Sequence, residues 1–211
     1  MEVGNIVNNL EKAASLIRSD KNQSRFEMAA QLDCLARYLQ VLQHSYGAIY
    51  IALLRMTLIA PEDIAQGRLD QIDARIDQLD ASGIGFDVEV IGTRLRGLQE
   101  GRAKVLRPVM DRHSTACDWH ALLGAMDERD TPLINEIYTS ATLMRRCTQQ
   151  LKRDPGALKS VHATIVNQAV EVRTALEKAQ WLYNQILGLS IVRYTSSPAA
   201  RTGPVAGAAV R

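Results

Sequence analysis

Met28, Leu32, Leu35, Leu39, Leu42, Tyr46, Ile49, Leu53 and Met56 follow one another at alternating spacings of four and three, without a slip. On a helix this alternation holds one apolar seam on one side over about eight turns. A straight helix with a merely globular face would drift off a seven-residue repeat, so the pattern calls for left-handed knobs-into-holes packing against other helices. Leu, Ile, Val and Ala dominate the apolar set, with only two Phe among 211 residues, and Gln and Arg are plentiful. Unbranched side chains keep their rotamer freedom in a helix, which favours helices over sheets. The seam and the composition together predict an all-α chain: an elongated antiparallel helical bundle of four to six helices with coiled-coil-like heptad seams.

Three parts are expected along the chain. Residues 1–20 predict a short amphipathic helix packed on or beside the bundle, with Val3, Ile6, Val7, Leu10, Ala14 and Ile17 as its apolar face. Turn and cap formers in SDKNQS close it. Residues 22–189 are the bundle. Pro61 ends the long seam helix and suits the first turn of the next, where Glu62 and Asp63 meet the positive end of the helix dipole. That helix carries Leu69, Ile72, Ile76 and Leu79, and SGIGFD is a turn. From about Asp87 a helix carries Val88, Ile91, Leu95 and Leu98 together with Gly92, Gly97 and Gly101. Each internal glycine costs roughly 1 kcal/mol relative to Ala, which is offset if a neighbouring helix comes close. Pro108 is expected to kink or end this element. Asp130 or Thr131 then caps a helix with Pro132 near its first position, and Ile134, Ile137, Ala141, Met144, Thr148 and Leu151 hold its seam. After the turn RDPG the last helix carries Leu158, Val161, Ile165, Ala169, Val172, Leu176, Ala179, Tyr183 and Ile186. Residues 190–211 are small and Pro-containing, without the apolar bulk to offset the entropy of ordering them, and predict a flexible C-terminal tail.

A formal charge of +2 leaves no concentrated basic face, so no nucleic acid is expected as a partner. Cys34, Cys117 and Cys147 are odd in number and widely spaced, and Glu2, Asn5, Asn8 and Glu11 interrupt any leader-like apolar run. They read as reduced thiols of a cytoplasmic protein. The longest apolar stretch, YGAIYIALLRMTLIA, holds Arg55 and is short for a span.

The one stretch that raises metal chemistry is DRHSTACDWH, residues 111–120. His113, Cys117 and His120 continue the apolar row of Leu106 and Met110 at spacings of three and four. Ligands at i and i+4 grip one zinc ion from one helical face, but the outer pair here is separated by roughly 10.5 Å of helix rise. A closed zinc site would also need a fourth ligand, such as Cys147. The plainer expectation is that Cys117 fills the core and the histidines are hydrogen-bonded. A further possibility is a new short helix capped by Ser114 or Thr115, which would split the three side chains between elements. No cofactor is expected. The acidic row Asp70, Asp73, Asp77 and Asp80 reads as a solvated flank facing Arg94, Arg96 or Arg102.

No phosphate loop, dinucleotide fingerprint or nucleophile elbow appears, so no catalytic residue is assigned. The apolar cluster Trp181, Leu182, Tyr183, Ile186 and Leu187 covers more of the last helix than one seam requires. The function expected is therefore a non-enzymatic protein–protein interaction or assembly module. It would self-associate or dock another helical protein through Leu39, Leu42, Trp181, Leu182 and Leu187. Two other readings stand beside it. One is a membrane-active effector that inserts its N-terminal helix and the stretch from Ile49 to Ile59 into lipid. The other is a metal-binding bundle built on His113, Cys117 and His120.

Overall fold

The computed structural model describes residues 5–74, 101, 102, 104–125 and 132–195. Every regular element among them is helical. In chain order they are α1 (Asn5–Ser19), α2 (Arg25–Thr57), α3 (Pro61–Ala65), a helical stretch over residues 69–74 (α4), a helix over residues 104–112 (α5), α6 (Trp119–Ala125), α7 (Pro132–Arg153), a 3-10 turn (Pro155–Ala157) and α8 (Leu158–Thr195).

Local chemistry sets the ends of the long helices. Ser24 stands in extended backbone just before α2, its hydroxyl accepting from the Glu27 N–H at 3.1 Å while the Glu27 carboxylate accepts from the Ser24 N–H at 2.7 Å. This reciprocal box satisfies two donors that the first turn otherwise leaves open. At the far end, the Asp63 carboxylate accepts from the Ala60 N–H at 3.1 Å, and Pro61 opens α3 where its missing N–H costs nothing. Asp154 makes the last sharp turn by accepting from the Gly156 N–H at 2.9 Å.

The 33 residues of α2 run for about 50 Å, and α8 lies antiparallel beside them. Gln40 donates to the Tyr183 hydroxyl at 2.6 Å, Gln43 donates to the Ala179 carbonyl at 3.3 Å, and Tyr50 stands close to Arg173. As the α2 position advances from 40 to 50, its α8 partner falls back from 183 to 173, which is the signature of an antiparallel pair. α1 and α7 also pack on α2. The seam from Leu32 to Met56 is buried throughout, and Met28 is partly buried. On α8, Val161, Ile165, Ala169, Val172, Ala179 and Ile186 are buried with Ala175 and Leu182 beside them, so its inward face is wider than the expected row.

A second buried row lies next to the first on α2: Gln31, Cys34, Tyr38, Val41, Ser45 and Ala52. Its spacing is also three and four as far as Ser45, with Ala52 seven residues on, but Gln31 and Ser45 disguise it as a polar flank. The Ser45 hydroxyl satisfies itself by donating to the Val41 carbonyl at 3.0 Å. α1 covers part of this double face with Ile6, Val7, Leu10, Ala13, Ala14 and Ile17, all buried. Lys178 of α8 holds α1 from outside, donating to the Asn8 side chain at 2.6 Å and pairing with Glu11 at 2.8 Å.

Several expectations change. The carboxylates Asp70 and Asp73 of the acidic row turn to Lys152 of α7, with Lys152–Asp70 at 2.8 Å and a bond from the Thr148 hydroxyl to Asp73. Its own bonds to Asp70, and after it Asp73, push the Lys152 ammonium up from its ordinary value. Asp77, Asp80, Arg94 and Arg96 lie outside the described residues. Among the described residues no atom lies within 4 Å of where a Cβ would sit on Gly101; Gly92 and Gly97 lie outside the described residues. Helix α5 passes through Pro108 and runs on to residue 112. Helix α8 continues past 189 to Thr195, and residues 196–211 of the expected tail lie outside the described residues.

Two substitutions on α2 test this packing from opposite sides. Leu39 is wholly buried, so Leu39→Ala should lower unfolding free energy by about 2–5 kcal/mol in denaturant titration. Gly47 lies mid-helix with open space where a Cβ would go, so Gly47→Ala should raise it by about 0.5–1 kcal/mol. A destabilised Gly47→Ala protein would mean that something packs against that position.

Candidate functional site

The stretch DRHSTACDWH forms a turn. α5 ends at residue 112, residues 113–118 turn, and α6 begins at Trp119. The three expected ligands therefore separate: His113 follows one helix, Cys117 sits in the turn and His120 points outward from the next helix. The cap of that helix is Asp118, whose carboxylate accepts from the Ala121 N–H at 2.9 Å, and not Ser114 or Thr115. Cys117 is buried and its thiol donates to the Asn9 carbonyl at 3.7 Å; His120 is exposed. Among the described residues no three His, Cys, Asp or Glu side chains come together as a set for a metal ion.

What the turn does build is a clasp on the end of α1. Asp20 is buried, and its carboxylate accepts from the Asn22 N–H at 2.9 Å and from Arg112 Nε at 2.7 Å. His113 Nε2 stands 3.6 Å from the same carboxylate. The Asn22 N–H, and after it Arg112, hold the Asp20 carboxyl below the usual carboxylate range despite its burial. Trp119 closes the turn by donating from its indole N–H to the His113 carbonyl at 2.9 Å. Asp20 belongs to no motif, and its role follows from a contact across 92 residues that no local pattern announces.

A second buried carboxylate has the opposite environment. Glu136, in the first turns of α7, is buried with neither carboxylate oxygen bonded at hydrogen-bonding geometry. Tyr46, in the α2 seam, is also buried with its hydroxyl unbonded in the same sense, and Tyr38 lies fully buried in the second row. Desolvation pushes the Glu136 carboxyl above the ordinary Glu range, and the nearby Tyr46 hydroxyl pulls it partly back. Burial pushes both phenols up, so they stay protonated. The arrangement keeps a proton on Glu136 more tightly than water would. Cys34 is likewise pushed up by burial, to about 11, which leaves it a thiol and a poor nucleophile at neutral pH. Burial also raises Cys117 and Cys147.

The expected interface residues divide. Leu39, Leu42 and Leu182 are packed within the chain's own core, while Trp181 and Leu187 reach the surface. Further apolar side chains stand exposed elsewhere on the same two helices: Ile51, Leu54 and Leu58 on α2, and Val166 and Val170 on α8. Ile51 to Leu58 repeats at three and four, and the stretch is readable in the sequence, but the stronger neighbouring seam draws attention away from it. No described helix is long and apolar enough to cross a membrane. Comparison of the chain with family models, with curated proteins and with solved structures finds no match.

The two carboxylates make opposite contributions to stability against pH. Glu136, raised in the folded state, contributes fully below about pH 4.3, the ordinary Glu value, and that contribution is lost as pH climbs through its folded value. Asp20, lowered in the folded state, contributes above about pH 3.9, and its contribution is lost as pH falls further. Thermal unfolding between pH 4 and 8 should therefore show Glu136→Gln gaining on the native chain as pH rises. Asp20→Asn should lose most at neutral pH. Parallel curves for Glu136→Gln and the native chain would mean that Glu136 is hydrated.

Proposed function

We propose that the protein is a non-enzymatic helical-bundle interaction module that self-associates through the outward faces of its two longest helices. The observation that carries this reading is the set of large apolar side chains left in water on those faces: Ile51, Leu54 and Leu58 of α2, with Val166, Val170, Trp181 and Leu187 of α8. The inward faces of both helices are already filled, so among the described residues the core has no further use for these side chains. Scattered exposed leucines need no explanation, but rows at helical spacing on adjacent helices mark a contact surface.

The magnitudes define what kind of association this is. Fully burying one aliphatic side chain contributes about 1.5–3 kcal/mol, so seven that are about half-exposed contribute roughly 5–10 kcal/mol per copy. Association costs roughly 4–15 kcal/mol in lost freedom of motion. Gain and cost are of one size, which describes a reversible, concentration-dependent assembly and not an obligate one.

Native mass spectrometry and light scattering across a concentration series test the reading. The expected result is a mass that rises from monomer to a small closed oligomer as concentration increases, unchanged by a strong chelator. A monomer at every concentration would contradict it. A mass carrying one chelatable metal would return attention to His113, Cys117 and His120.

A further inference from the structure

Resting on that reading, we infer that the contact is a two-fold dimer of this chain, formed by the far end of the α2–α8 pair, with Leu54 of α2 near the axis. The α2–α8 register locates the patch. Gln40 meets Tyr183, Gln43 meets Ala179 and Tyr50 meets Arg173. Continuing the same antiparallel register by one turn and then two brings Leu54 level with Val170 and Leu58 level with Val166. Ile51, Leu54, Leu58, Val166 and Val170 therefore lie at one end of the pair, on the edge that begins at Tyr50 and Arg173, while Phe26 and Leu187 are exposed away from it. Exposures within the patch run from 41% at Leu54 to 77% at Leu58. Trp181 belongs to a separate place, about 16 Å further along α8 from Val170 at the helical rise.

Three features choose a second copy as the occupant. The first is spacing. A two-fold contact is self-complementary: if one residue meets another across the axis, the second meets the first. On α2, Ile51 and Leu58 stand three and four residues from Leu54, so an antiparallel pair of α2 helices centred there sets Ile51 against Leu58 of the other copy, twice. The second feature is charge. The rim carries both signs, exposed Arg55 and Arg173 with exposed Glu62 and Glu177, and Arg173 is already paired with Glu177 at 2.7 Å. A strongly basic or acidic partner finds no field to follow, whereas the same surface meets itself without net repulsion. The third is size. The aliphatic coefficient corresponds to about 60–120 Å² per fully buried side chain. Five half-exposed side chains from each copy then supply roughly 300–600 Å² of apolar contact, against about 1,600 Å² in total for a standard interface. That is the apolar centre of a small, reversible dimer.

The test uses the full chain with Leu54→Lys and Val170→Lys on the patch and Trp181→Lys away from it, each checked by circular dichroism for its helical fold. Sedimentation equilibrium should show the dimer weakened roughly tenfold or more by either patch variant and little changed by Trp181→Lys. Leu54→Cys should form a disulfide-linked dimer under mild oxidation, because a residue near a two-fold axis meets its own copy, while the native thiols are buried. A dimer that keeps its affinity in Leu54→Lys and Val170→Lys but dissociates in Trp181→Lys would overturn this surface and leave self-association standing. A native chain that is monomeric throughout would remove the reading beneath it as well. A monomer that binds anionic phospholipid vesicles, and ceases to in Leu54→Lys, would replace the second copy with a lipid surface.

Discussion

Burial of α2 on two adjacent rows is the constraint from which the other helices take their places. A helix of this length with a single apolar stripe could lie on the surface of a protein. With Leu35, Leu39, Leu42, Tyr46, Ile49 and Leu53 on one row and Tyr38, Val41 and Ala52 on the next, it has to be covered from several directions. α8 supplies the cover along its length, and α1 and α7 supply the rest. Isolated helices gain little in water, and most of their stability comes from packing an apolar face. The amphipathic α1 is a case in point: its buried face has value only against this core, and polar contacts at Lys178 and Asp20 fix where it sits.

The polar groups inside that core separate into those that are satisfied and those that are not. Asp20 and Glu136 are both buried carboxylates, yet they shift in opposite directions. Asp20 receives a backbone N–H and a guanidinium, so its charged form is favoured over its burial. Glu136 receives no bond of hydrogen-bonding geometry, so burial dominates and its neutral form is favoured. Depth and donors both make the difference: desolvation leads at Glu136, and the Asn22 N–H leads at Asp20. Gln31 adds a buried amide with neither end bonded, on the same helix as Tyr38 and Tyr46. Unbonded polar groups in a packed interior oppose stability, and Gln31 and Tyr46 place two of them on α2 itself.

Much of the fold was legible because it is periodic. The α2 seam, the face of α1 and the row on α8 all follow from spacing, and burial follows each row. The caps were legible as residue types, although Asp118 and not Ser114 or Thr115 serves α6. Illegible were the features that depend on residues distant in sequence. Arg112 and His113 meet Asp20 across the whole length of α2, and Lys152 meets Asp73 instead of an arginine of the neighbouring helix. The row of Gln31 and Ser45 was hidden by its polar members, since spacing alone does not reveal that a hydroxyl can bond its own helix. His113, Cys117 and His120 keep the right spacing for one face only while the helix continues, and it stops at residue 112.

Native-state hydrogen exchange followed residue by residue tests the central place of α2 most directly. If α2 is the covered axis of the fold, its amides from Leu32 to Met56 should exchange slowest in the chain, through global unfolding alone. α1 should open at lower free energy, because it is held on one face and by polar contacts at its edges. If the α2 amides beyond Gly47 instead exchanged through local opening, as fast as those of α1, then α2 would be only one helix among equals.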